Sequence, residues 1–145
     1  MTAARNASMQ RFKQLSEELQ LEIRRDAIAE LVEQSDILMQ QMKAAVPVGE
    51  TGNLRASIRR EVGKKGNRIV IKAGGALTTV QHRAASVRAT GRATAPYDYS
   101  MGVEFGTQDM SAQPFFWPSW RLRKKKIRSA MKRRITANIK KRSAE

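Results

Sequence analysis

Residues 97–120 read Tyr97-Asp-Tyr-Ser-Met-Gly-Val-Glu-Phe-Gly-Thr107, then a polar loop from Gln108 to Gln113, then Pro114-Phe-Phe-Trp-Pro-Ser-Trp120. Tyr97, Tyr99, Met101, Val103 and Phe105 alternate with smaller or polar residues, which predicts a strand with one apolar face. Gly106 is expected to end it in a sharp turn, where a positive φ would be costly for any residue with a side chain. Pro114 fixes the approach to a terminal helix, and Pro118 suits that helix's first turn. Phe115 or Phe116 is then placed to fill the space between helix and sheet. The stretch 97–120 thus predicts a strand, a turn and an aromatic anchor.

Working outward, Trp120, Ile127, Met131, Ile135 and Ile139 form one stripe of a helix over 118–142, whose other faces carry twelve Lys and Arg. At the other end, Phe12, Leu15, Leu19, Ile23, Ala27, Leu31, Leu38 and Met42 recur in steps of three, four and seven. They predict one long amphipathic helix over 8–45, or two with a bend, ended by Val46-Pro47 because the residue before proline is biased out of the helical region. Such a stripe marks core or a subunit interface. Residues 46–75 read as loop and hairpin: Gly52 turns the chain, Leu54 enters the core, and strands near 57–62 and 68–73 flank the turn Gly63-Lys-Lys-Gly-Asn67. Residues 76–96 offer little beyond Leu77, Val80 and Val87 to bury, among the bases Arg83, Arg88 and Arg92. They predict a mobile basic arm that orders on a partner, or a plain surface loop.

The expected architecture is α+β and a single domain, 1–145. It has a long N-terminal helix, a small antiparallel sheet of three to four strands, and a basic C-terminal helix packed on the sheet. The predicted core is Leu31, Leu38, Leu54, Ile58, Ile69, Ile71, Tyr99, Val103, Phe105, Phe116, Trp120, Ile127 and Met131.

Charge is the unusual quantity. Lys and Arg number 28 against 13 Asp and Glu, a net of +15, with a pI near 11.1. Residues 1–50 carry a net −2 and residues 51–145 a net +17. Such a balance points to nucleic acid, anionic membrane or acidic protein as partner. There is no cysteine and one histidine, His82, so disulfides, thiolate chemistry and multi-histidine metal sites are not expected. No cofactor and no metal is predicted. The polar N-terminus lacks the apolar stretch of a secretory signal, and no run of about 18 apolar residues suggests a membrane span. A soluble chain made in the cytoplasm is expected, with no membrane partner.

No nucleophile-elbow, metalloprotease, phosphate-loop or dinucleotide-binding pattern occurs. Glu104 and Asp109 offer a pair of carboxylates for acid/base chemistry, but lone acids at a strand end more often serve structure, and no enzyme is expected. The basic helix leaves four readings open: a DNA-backbone contact, a dock for an acidic partner including the N-terminal helix of the same or a neighbouring subunit, a membrane-surface helix, or a solvated face. Candidate partner or DNA-backbone contacts are Arg83, Arg88, Arg92, Arg121, Lys124, Lys125, Arg128 and Lys132. Candidate fold determinants are Gly52, Leu54, Glu104, Phe105, Gly106, Pro114, Phe115 and Trp120. A free, non-sequence-specific DNA-binding protein is the rival reading.

The segment 97–107, followed by Gln113-Pro-Phe-Phe-Trp-Pro-Ser-Trp120, resembles the neck or tail-completion proteins of long-tailed bacteriophages. In that family a tyrosine-bearing strand ends in Val-Glu-Phe-Gly-Thr, followed by a polar loop, Gln-Pro-Phe and a C-terminal helix. Val46-Pro-Val-Gly-Glu-Thr-Gly-Asn-Leu-Arg-Ala-Ser-Ile58 is similar to the family's upstream loop, and the resemblance covers roughly residues 30–135. It implies a structural virion protein that completes or joins the tail at the head–tail interface as a ring, a hexamer by the symmetry of long tails. A tail-terminator subunit is the alternative. Head-closure, tail-terminator or tail-tube proteins are the implied partners, with DNA in the channel.

Overall fold

A computed structural model of the chain describes residues 2–49, 51–63, 68–80 and 96–143. Helix α1 spans Thr2–Ala45 and α2 Asn53–Ser57; strands β1 Arg59–Val62, β2 Ile69–Lys72, β3 Thr79–Val80 and β4 Tyr97–Asp98 follow; α3 spans Tyr99–Phe105 and α4 Phe116–Ser143. The fold class is α+β. The strands form two separate antiparallel pairs, β1–β2 and β3–β4, in place of one sheet of three to four strands. The chain divides into two compact units, residues 35–124 and residues 1–34 with 125–145.

In the first unit, helical spacing buries Leu38 and Met42 on the last turns of α1 and Val46 just past its end, before Pro47 stops the helix. Leu54 and Ile58 are buried with them. The hairpin pairs Arg59 with Lys72 through to Val62 with Ile69, and Gly63 donates to the Arg68 carbonyl at its end. The predicted turn at 64–67 lies outside the described residues. Arg60 ties the hairpin to α1, donating to Asp36 Oδ1 at 2.6 Å and Ser35 Oγ at 3.0 Å.

Two expectations are corrected here. Residues 76–80 do not belong to an arm: they make a turn and strand β3, which pairs Thr79 with Asp98 and Val80 with Tyr97. Residues 81–95, which hold His82 and the three candidate bases Arg83, Arg88 and Arg92, lie outside the described residues. The predicted strand over 97–105 lasts two residues and then becomes α3. The cause is local. Asp98 caps the helix by accepting from the Ser100 N–H at 2.9 Å, and capping favours a helix start over an extended run. The buried or half-buried residues 99, 100, 103 and 104 then follow helical spacing. Phe105, expected in the core, and Met101, expected on the strand's apolar face, point to solvent.

In the second unit α1 and α4 run antiparallel. Asn138 donates to Asp26 Oδ2 at 2.6 Å, and Arg142 pairs with Glu22. Ala130 is buried, and Ile127 and Met131 are half-buried, on one side of α4.

Candidate functional site

Two carboxylates organise the stretch that decides the fold. Glu104, buried on α3, accepts from three backbone N–H groups at the start of α4: Phe115 at 2.8 Å and Phe116 at 2.9 Å through Oε2, and Trp117 at 2.9 Å through Oε1. The first N–H groups of a helix have no partner within it, and the helix dipole favours an anion at that end. A carboxylate brought from elsewhere in the chain meets both needs at once. Phe115 is buried beside it, and the Ser119 hydroxyl donates to the Phe115 carbonyl at 2.6 Å. Glu104 is therefore committed to α4, while Asp109 stands exposed on the loop with its N–H on Thr107 Oγ1.

The loop between α3 and α4 folds back on itself. Gly106 closes α3 with φ +83 and donates to the Gly102 carbonyl at 2.8 Å; Thr107 N–H reaches the Met110 carbonyl and Gln113 N–H the Val103 carbonyl. A Cβ on Gly106 would lie 3.1 Å from both the Met110 carbonyl oxygen and the Ala112 nitrogen. The glycine is required twice, by conformation and by space.

Asp98 is the second hub. Its Oδ1 accepts from the Thr78 hydroxyl at 2.7 Å and the Ser100 N–H, and its Oδ2 accepts from the Gly75 N–H at 2.7 Å. Burial pushes this carboxyl up, but hydrogen bonds from Thr78, Ser100 and Gly75 outweigh it and hold the group at about 2, below its ordinary 3.8. Gly74, at φ +90, leaves no room for a side chain against Asp98 and Ser100. Thr78 is fully buried. Sequence reading missed Asp98, Thr78 and Gly74; the short capping pattern Asp98-Tyr-Ser100 was the signal that could have found them.

Of the remaining candidate fold determinants, Gly52 sits at φ +64 before α2 and Leu54 is buried. Pro114 is exposed just ahead of α4. Phe105 and Trp120 are corrected: both are exposed, and Phe115 takes the buried place. Around them Met101, Phe105, Phe116 and Trp117 border one groove with Arg59 and Lys72. Those two cations share one carboxylate, Glu61, which lies 2.5 Å from Lys72 and 3.4 Å from Arg59.

The α4 candidates behave differently. Steps of four, three and four residues place Arg121, Lys125, Arg128 and Lys132 on one helix face, and all four are exposed. Lys124 is half-buried to one side. None of the five has an ion pair among the described residues. No helix among the described residues is long and apolar enough to cross a membrane.

A match to one protein family, described as "Bacteriophage HK97-gp10, putative tail-component", spans residues 7–106. The chain belongs to this HK97-gp10-like family. It is thus a phage tail component, a structural part of the virion. The match takes in α1 from residue 7 onward, the hairpin, Asp98 and Glu104, and ends at Gly106. The loop after it and the whole of α4 lie beyond, although Glu104 exists in this structure to hold α4. No curated protein and no solved structure matches the chain.

Proposed function

We propose that the chain is a ring-forming subunit that completes or joins the tail where it meets the head. Membership of a tail-component family supports the structural role. What supports the ring is a pair of uncovered apolar patches in different parts of the chain. On α1, Phe12 and Leu15 are 69% and 61% exposed, with Met9 beside them one turn earlier. On α3, Met101 and Phe105 are 62% and 61% exposed, next to Trp117. Clustered large apolar side chains facing water mark contact surfaces. Two unlike patches suit head-to-tail contact between identical copies, which closes into a ring when the rotation allows, whereas a two-fold dimer needs only one. The ring then meets head-closure, tail-terminator or tail-tube proteins on its two faces, and the symmetry of long tails sets it as a hexamer.

Native mass spectrometry of the purified chain, alone and with its tail-tube and head-closure proteins, tests this. A single closed stoichiometry is expected for the wild type, and a shift to monomer for Phe12→Asp and for Phe105→Asp, with circular dichroism unchanged. A wild type that stays monomeric at its highest soluble concentration and in those mixtures overturns the reading.

A further inference from the structure

We infer that the face of α4 bearing Arg121, Lys125, Arg128 and Lys132 is a contact surface for the phosphate backbone of duplex DNA, used without regard to base sequence. The inference goes beyond ring formation and rests on α4 itself.

The four bases lie on one unbroken helix and are separated by three or four residues, so the Cβ atoms of neighbours stand about 5–6 Å apart over roughly 16 Å of helix. Like charges at that spacing repel each other, and no carboxylate among the described residues pairs with them. No acidic residue occurs between Asp109 and Glu145. The acids of α1 that meet α4, Glu22 and Asp26, do so at Arg142 and Asn138. The contrast with the hairpin is sharp, since Arg59, Arg60 and Lys72 each have a carboxylate partner. A polyanion is what this surface lacks.

Its chemistry also selects among polyanions. Between Arg121 and Lys132 the face carries no large apolar side chain, and exposed Leu122 lies about a quarter turn away. A docked protein would need a desolvated apolar centre there, and a membrane-surface helix would need an apolar face to insert. The aromatic residues Phe115, Phe116, Trp117 and Trp120 precede the basic run and do not interleave with it, so the face lacks the stacking platforms that hold unpaired bases. Cations alone read phosphates, and duplex DNA supplies one about every 1.7 Å of its axis. Such contacts position DNA without specifying sequence.

The test is fluorescence anisotropy of the full-length chain on a short labelled duplex across a potassium chloride series. Each phosphate neutralised adds about −0.9 to the slope of log affinity against log salt. The four-fold Ala variant at positions 121, 125, 128 and 132 should therefore have a slope shallower than wild type by about 3–4. A duplex of shuffled sequence should bind within about twofold of the first. The double variant Lys126→Ala/Arg133→Ala, whose side chains leave α4 on other faces, should change the slope by less than half as much. Three outcomes overturn the inference: an unchanged slope in the four-fold variant, an equal loss in the double variant, or wild-type binding to phosphatidylserine vesicles or an acidic protein in preference to duplex. Circular dichroism of the variants confirms that α4 is retained. Stoichiometry is read separately by native mass spectrometry, so failure here leaves the ring reading standing, and the reverse holds too.

Discussion

Compare the junction around Glu104 with the exposed face of α4 that begins one turn beyond it. At the junction each charge has an assigned partner within the chain: Glu104 takes three backbone N–H groups, and Asp98 takes a hydroxyl and two. On the helix face four cations stand in solvent with none among the described residues. Buried carboxylates that satisfy backbone donors specify a local structure, because losing them strands several donors at once. Exposed like charges specify nothing about the fold and raise its cost slightly. The first arrangement is what a chain does to hold itself together, and the second is what it does to meet something else.

The largest expected effect comes from breaking the junction. Glu104→Ala leaves the N–H groups of Phe115, Phe116 and Trp117 without their acceptor in a buried setting and removes an anion from the helix start. A loss of about 3–5 kcal/mol is expected from charge-assisted bonds of this kind. Glu104→Gln, which keeps one good acceptor without the charge, should fall between. Urea denaturation followed by circular dichroism measures both. A loss under about 1 kcal/mol in the alanine variant would mean that α4 starts without help from α3, and the contrast between the two regions would collapse.

Gly106→Ala attacks the same junction through the backbone. At φ +83 an L side chain is strained, and its Cβ would press on the Met110 carbonyl and the Ala112 nitrogen. About 2 kcal/mol is expected, measured by thermal unfolding. If Gly106→Ala instead matches wild type, the loop from Thr107 to Gln113 can yield, and it is Glu104 alone that fixes the approach to α4.

How much of this was legible depends on which residues were doing the burying. Leu38 sits where apolar periodicity put it, Leu54 and Ile58 where the turn before them and the predicted core did, and the long α1 and the β1–β2 hairpin stand as expected. The strand expected over 97–105 failed because a helix of seven residues is too short to show a period, and its buried positions include the polar Ser100 and Glu104. Alternation of Tyr, Met, Val and Phe was the visible signal, and it came from residues that the helix turns partly outward. The local cap of Asp98 on the Ser100 N–H starts the helix, and Gly75 and Thr78, arriving from twenty or more residues away, hold that carboxylate in place, which no propensity encodes. The site divided in the same way. Glu104 and Gly106 stood out by their place at the end of a motif, yet that the carboxylate caps α4 emerges only from the geometry. The common face of Arg121, Lys125, Arg128 and Lys132 was written in their spacing; that α1 leaves it unneutralised was not.

The smallest expected effect is the one that pH can read. Asp98 is held at about 2 in the folded chain against an ordinary 3.8, so its charge favours the folded state. That contribution is fully present above about pH 4, declines as pH falls toward about 2, and is gone below it. For a part-buried group screened by solvent it amounts to about 1–2 kcal/mol. Wild type should therefore lose that much more stability than Asp98→Asn when urea unfolding is compared at about pH 4 and about pH 2, even though the variant starts lower at neutral pH because an amide cannot accept from all three donors. Parallel losses in the two proteins would show that Thr78, Ser100 and Gly75 bind the neutral acid as well as the anion. Asp98 would then shape α3 as a capping residue without holding it as a charge, and Glu104, with three backbone N–H groups on it, would remain the carboxylate that organises the junction.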